Sequence, residues 1–302
     1  MTTTETILDS LADSRRWGYR EGELPAAEPL AWAATALIGH DRTSQAVPLL
    51  YELCQLQTAG GALGIYEGQA APNWGTSLAV LAWSAALKSS SPPEAAAAER
   101  YRAAVVRGCR FLLELKGATI KPSGEVTHNT MLVGWPWVES THSWLEPTAF
   151  CFLALKAAGM RAHPRADEAV QLMLDRILPG GGCNYGNTIV LDQLLRPQIQ
   201  PTGIVLLALA GDANQSERVL KSIAWLEQSL DESTTIASLA FAAMGLAAHD
   251  RSPVDILSRL EMAAAKPTAA MGAALPRRSL AAIATLGAQN PLVIMSREGA
   301  AA

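Results

Sequence analysis

Three tryptophans (Trp135, Trp137, Trp144), two glutamates (Glu139, Glu146) and one histidine (His142) are gathered in residues 135–148, directly ahead of an apolar run that ends at Gly159. Core packing alone seldom collects charged and aromatic side chains in this way. Glu146 precedes Pro147, a residue at home in the first turn of a helix, so its carboxyl falls at about the N-cap. One use for it there is general acid or base chemistry at the mouth of a cavity. The plain use is to offset the positive helix end, worth ~0.3–1 kcal/mol. That positive end weakens the acid, whereas burial among indoles pushes its pKa back up. His142 lies four residues before Glu146 and Glu139 seven before it. A loop folded back on itself brings His142 to hydrogen-bond Glu146 and set its protonation state; otherwise His142 is a loop residue satisfied by solvent or backbone.

Trp74, Trp135, Trp137, Trp144, Phe150, Phe152 and Tyr185 are candidates for an aromatic wall. Such faces stabilise a passing cation by ~0.5–2 kcal/mol each, although aromatic residues near helix ends also serve as packing. Asn184, Asp192 and Gln200, with Glu28, Asp231 and Glu232, stand ahead of other apolar segments. Acids and indoles over an apolar cavity suit an uncharged, elongated apolar ligand. A diphosphate would need a basic clamp, for which only Arg196 with Arg161 offers itself. The expected site contains no metal and no cofactor.

Of 302 residues, 49% are hydrophobic and 17% charged, which describes a large buried core. The net charge of −4, without a basic block, leaves no electrostatic footprint for nucleic acid. No apolar stretch reaches the ~18 residues of a membrane span. Ser14-Arg15-Arg16-Trp17 looks like a twin-arginine signal, but a polar, charged stretch follows where an apolar region should, so a cytoplasmic location is expected. Cys54, Cys109 and Cys151 lie in apolar helical runs, where free cysteine behaves as a small hydrophobe.

Helical periodicity recurs along the whole chain. Some segments are amphipathic: Leu49, Leu53 and Leu56 share a stripe, as do Val105, Cys109 and Leu112, and later Val219, Ile223, Leu226 and Leu230. Others are apolar all round, over 30–38, 76–87, 148–158, 202–210 and 234–246, and such helices are buried on every side. The apolar segments superpose without gaps on Thr76, Thr148, Thr202 and Thr234. The order is amphipathic helix, Gly-rich loop, buried helix, repeated in about six hairpins: 5–38, 45–87, 98–158, 165–210, 216–247 and 253–287. A self-similar unit of this size builds a solenoid or a closed ring, and the fully buried class favours the ring. The expectation is an all-α fold, one α/α-toroid domain over 1–288 and a tail over 289–302. Residues 116–146 form its one long connection.

The Gly60-Gly61-Ala62-Leu63-Gly64-Ile65-Tyr66 and Gly180-Gly181-Gly182-Cys183-Asn184-Tyr185-Gly186-Asn187 loops, with the Glu146-Pro147-Thr148 and Gln200-Pro201-Thr202 helix starts, resemble the repeat of the terpene cyclase and protein prenyltransferase α/α-toroid superfamily. The resemblance covers roughly residues 10–250. It implies an isoprenoid-like substrate in a central cavity, cyclised or isomerised by acid/base chemistry. Class II cyclases carry Asp-x-Asp-Asp-Thr-Ala at the start of an inner helix; here Trp144-Leu145-Glu146-Pro147-Thr148-Ala149 stands there, with Glu146 alone at the acid's position. No Asp-Asp-x-x-Asp metal triad is present. A second resemblance, of Gly182-Cys183 to the zinc cysteine of lanthionine cyclases, implies zinc at Cys183 with His128 or His142. The downstream Cys-His-Gly element of those enzymes is missing. A non-catalytic toroid that binds a lipid-like ligand or a partner peptide is the alternative from another class.

Overall fold

A computed structural model describes residues 2–13, 17–20, 22–69, 71–122, 127–251, 254–265 and 274–298. Ser14, Arg15 and Arg16 of the twin-arginine reading lie outside them, as do residues 299–302.

The two kinds of helix alternate. Amphipathic α1 (Thr3–Asp13), α3 (Thr43–Leu56), α5 (Ala95–Glu114), α7 (Pro164–Arg176), α9 (Glu217–Ser229) and α11 (Val254–Ala265) are each followed by an inner partner, more apolar than the outer helix in every pair but the last. Those partners are α2 (Ala27–Gly39), α4 (Gly75–Lys88), α6 (Leu145–Ala157), α8 (Ile199–Leu209), α10 (Ile236–Ala248) and α12 (Leu275–Ala284). In α6 every residue is buried, and in α8 every residue from Pro201 on. A helix without an exposed face must be enclosed by protein, and the packing shows how. α2 packs on α4, α4 on α6, α6 on α8, α8 on α10, α10 on α12, and α12 returns to α2. The inner helices close a ring, and the fold is an α/α toroid.

The residues that mark the repeat in the sequence hold the loops to the ring. Thr76, Thr148 and Thr202 each accept a backbone N–H from the preceding loop: Leu63 at 2.8 Å, Trp135 at 3.0 Å and Cys183 at 3.0 Å. Gly61 and Gly181 have φ of +93° and +92°. A Cβ on either would strike the main chain of the next outer helix, at Arg107 and Lys221, so each loop needs glycine for conformation and for room. Between α8 and α10 the approach is closest: a Cβ on Gly203 would lie 2.5 Å from the Phe241 backbone, and one on Gly245 would lie 2.5 Å from Gly203 O.

Two expectations are corrected. Thr234 does not open α10 in the register of Thr148; the helix starts at Ile236, with Thr235 as its N-cap accepting from Ser238 N at 3.4 Å. The segment expected as a tail from 289 carries a further helix, α13 (Pro291–Ser296), with Leu292, Val293 and Met295 buried. It packs against α2, α4, α6, α8 and α10 together, which only a plug in the hole of the ring can do. Arg297 fixes it to the C-terminal end of α10, donating to Ala247 O at 2.6 Å and Ala248 O at 3.2 Å. The plug therefore seals the end of the toroid where the inner helices finish. The described parts of the long connection, residues 116–122 and 127–146, lie at the opposite end, where they begin.

Candidate active site at the open mouth

The lumen is filled at mid-depth. Trp32 of α2, Phe150 of α6 and Phe241 of α10 meet edge to face, with ring centroids 5.8, 5.9 and 6.0 Å apart. These are alternate helices of the ring, so side chains that touch between them must cross its axis. Edge-to-face pairs add ~0.5–1.5 kcal/mol each beyond area burial. The expected deep apolar cavity is thus occupied by protein at this level, and Phe150 is part of its floor.

One helical turn toward the mouth from these rings stand two carboxyls. Glu28 precedes Trp32 by four residues and Glu146 precedes Phe150 by four, a spacing that stacks side chains on one helix face. Glu146 is 6% exposed and follows the N-cap Trp144 by two residues, inside the first turn of α6. Gln200 of α8 donates to its Oε1 at 3.3 Å. Burial pushes the Glu146 carboxyl up to about 7; the Gln200 bond opposes the shift and the charge of Glu28 adds to it. Glu28 is also raised by burial, against bonds from Tyr19 and from Trp32, whose Nε1 lies 3.3 Å from Glu28 Oε1. Tyr19 is raised in turn, first by burial and then by Glu28. Neither carboxyl has a basic partner within ion-pair distance among the described residues. Glu146 is buried and Glu28 half-buried; both without a cation and unequal in their hydrogen bonds, the two are placed to divide acid and base roles.

The remaining expected residues fall into several separate groups. Trp74 and Trp137 make an edge-to-face pair, centroids 5.8 Å apart, in the loop layer. Trp144, Asn184 and Tyr185 line a cavity of about 300 Å³ beside the start of α6, together with Arg196 and Gln198. Trp135 belongs to the core: fully buried, it donates from Nε1 to Leu112 O at 2.7 Å and lies 4.0 Å beneath the Arg165 guanidinium. Phe152 faces the Lys156 and Arg161 side chains, away from the triad.

His142 and Glu139 are exposed. The His142 ring packs on Trp144, centroids 4.5 Å apart, and the Glu146 carboxyl bonds Gln200 instead. The loop does not fold back because Trp135 and Trp144 pair as an isolated β-bridge, which turns residues 137–142 outward. Asp192 is exposed at the tip of a two-stranded hairpin formed by β1 (Ile189–Val190) and β2 (Gln193–Leu194), with φ of 57°. Asp231 is spent on its own turn, accepting from Ser233 and Thr234. Arg161 is held by Asp212 and Asp167, so it forms no clamp with Arg196. Cys183 is buried with its thiol pushed up to about 12, and burial holds His128 down at about 4. Among the described residues no group of three or more His, Cys, Asp or Glu side chains is gathered to hold a metal ion.

Tyr19, Trp32 and Phe241 are the site residues that the sequence does not single out; Glu28 is placed by it on the rim, without the acid–base role that its pairing with Glu146 suggests. A signal existed for Glu28, because Glu28-Pro29 repeats Glu146-Pro147.

Fold and site define the class as an α/α toroid with a carboxyl pair at the open end of its inner ring. No protein family's sequence profile matches the chain. No curated relative matches it. Solved structures do. A reducing-end-xylose releasing exo-oligoxylanase variant matches with TM-score 0.58 at 12% identity, over 96% of this chain and 93% of that one. The same enzyme complexed with xylose gives the same values. Salmonella α2-macroglobulin reacted with methylamine matches at TM-score 0.53 and 13% identity, over 94% of this chain and 17% of that one. Similarity at this identity is a similarity of fold. No helix is long and apolar enough to cross a membrane among the described residues.

Proposed function

We propose that this chain is an acid–base enzyme that cleaves a carbon–oxygen bond of a polyhydroxylated substrate at the mouth of the toroid. The observation that carries the reading is the pair of carboxyls without a cationic partner, Glu146 buried and Glu28 half-buried, on equivalent turns of α2 and α6. Glu146, raised to about 7, holds its proton at neutral pH and gives it to the bridging oxygen as the carbon–oxygen bond breaks. Glu28, whose carboxylate accepts from Tyr19 and Trp32, takes the proton of the water whose oxygen bonds to the carbon. The net change is addition of water, and no step passes through a metal. The solved exo-oligoxylanase that shares the fold releases xylose, which supports a carbohydrate as the substrate class.

Cyclisation or isomerisation of an isoprenoid-like substrate is the second reading. The aromatic triad one turn below Glu146 favours it, since such faces stabilise carbocations. Two observations weigh against it: the triad fills the space a long apolar chain needs, and an acid of pKa about 7 is weak for protonating an alkene.

The test is a product screen on wild type and Glu146→Gln, with short xylo-, gluco- and galacto-oligosaccharides in one panel and linear polyprenes in the other. Sugar release that falls at least ~100-fold in the variant is expected. Undiminished release in the variant refutes the acid role, and products from the polyprenes alone transfer the site to the second reading. No product in either panel from wild type supports a non-catalytic, ligand-binding toroid.

A further inference from the structure

The cavity beside Glu146 has a chemistry of its own. Its volume is about 300 Å³, and its walls include Trp144, Tyr185, Asn184, Arg196 and Gln198. Trp144 lies two residues before Glu146, and Leu145 N donates to Tyr185 O at 3.1 Å, so the cavity and the carboxyl are built on the same short stretch of chain. Asn184 is 7% exposed. Its Oδ1 accepts from Gly186 N at 3.0 Å, while its Nδ2 is buried without a hydrogen-bond partner. A buried donor left unpaired costs ~1–3 kcal/mol, and native chains keep such groups where a ligand or water completes them. Arg196 stands at the same cavity and makes no ion pair among the described residues.

Two aromatic side chains, a buried amide short of an acceptor and one free guanidinium meet in this space. Aromatic faces hold the apolar face of a flat ring. A guanidinium fork matches a carboxylate with two parallel bonds, and one arginine is short of what a diphosphate needs. We propose that the cavity is a subsite for a carboxylate-bearing sugar ring, its face on Trp144 and Tyr185 and its carboxylate on Arg196. The assignment rests on the reading of Glu146 as an acid acting on a polyhydroxylated substrate, and it names the part of that substrate lying beyond the reacting bond.

The probes are D-glucuronate and D-glucose, which differ at one carbon. Saturation-transfer NMR titrations on the full chain should show glucuronate binding at least ~10-fold more tightly than glucose, each such factor being ~1.4 kcal/mol. Arg196→Gln should abolish the preference, and Arg196→Lys should keep part of it, because lysine retains the charge and loses the fork. Arg196 is exposed, and its side chain makes no hydrogen bond or ion pair among the described residues, so neither variant threatens folding. Equal binding of the two sugars, absence of binding by either, or a preference that survives Arg196→Gln overturns the proposal. Glu146→Gln should leave the glucuronate titration unchanged. Failure of the acid role therefore shows in turnover, and failure of the subsite shows in binding.

Discussion

The two ends of the toroid bury charge on opposite terms. At the sealed end, Lys156 of α6 is as inaccessible as any leucine, yet its ammonium is fully engaged. It donates to Ala210 O at 2.7 Å, Ala208 O at 3.3 Å and Asp212 Oδ2 at 2.6 Å, capping the end of α8, and Arg161 backs the same carboxylate. At the open mouth, Glu146 is buried and Glu28 half-buried, neither with a cation among the described residues, and the amides of Asn73 and Asn184 each keep an atom unpaired. Compensated burial at one end builds the ring. Uncompensated burial at the other persists only where something else requires it, which is how functional sites depart from stability.

This contrast can be broken most severely through activity. Glu28→Gln should leave the fold intact and lower turnover ~100-fold or more, because the amide keeps the shape and loses the base. At the sealed end the equivalent insult acts on the fold. Lys156→Met takes one of two cations from the buried Asp212 carboxylate, leaving only Arg161, and removes the donor to Ala208 O and Ala210 O; denaturant unfolding should report a loss of about 3 kcal/mol, without a change in turnover per folded molecule. Were the two outcomes interchanged, the assignment of roles to the ends would fail.

A smaller effect sharpens the comparison through pH. Glu146 binds its proton more tightly in the folded chain, its pKa moving from 4.5 to about 7. The folded state therefore holds more protons than the unfolded one across that window, and stability falls as pH rises through it. The contribution is complete below the unfolded value and lost above about 7. Glu146→Gln does not titrate, so its stability should exceed that of wild type at pH 8 by on the order of 1–3 kcal/mol, with the advantage shrinking toward pH 5. Activity limited by the protonated acid should fall on the alkaline side with a midpoint near pH 7. A flat stability difference between the two proteins would remove the uncompensated carboxyl from the argument.

How far the sequence disclosed all this follows from what each signal measures. Apolar periodicity reports burial, so the alternation of α1 to α12 and the closure of the ring were legible. Glu146 was legible because its neighbours are chemically unusual. Periodicity says nothing of what meets across an axis, and so the Trp32, Phe150 and Phe241 contact was not. Nor was α13, because six residues give too short a window for a period. Lys156 was hidden in a helix that reads as apolar, since its partners Ala208, Ala210 and Asp212 come from another repeat. Trp135 was placed in the wall by its nearness in sequence to Glu146, whereas its indole N–H seeks Leu112 O inside the core.

The smallest expected effect concerns the residues that sequence proximity favoured most. Glu139 is exposed, and His142 is exposed with one face on Trp144. Glu139→Gln should change stability by less than ~0.5 kcal/mol and turnover by less than twofold. His142→Ala should match it in stability while loosening the Trp144 ring, which walls the cavity. Its effect should therefore appear as weaker substrate binding at unchanged maximal rate, read as a rise in KM with kcat held. A pH profile whose alkaline limb moves in His142→Ala would mean that the imidazole reaches Glu146 in the working enzyme. The loop would then have to fold inward on substrate, breaking the pairing of Trp135 and Trp144 that turns it outward here.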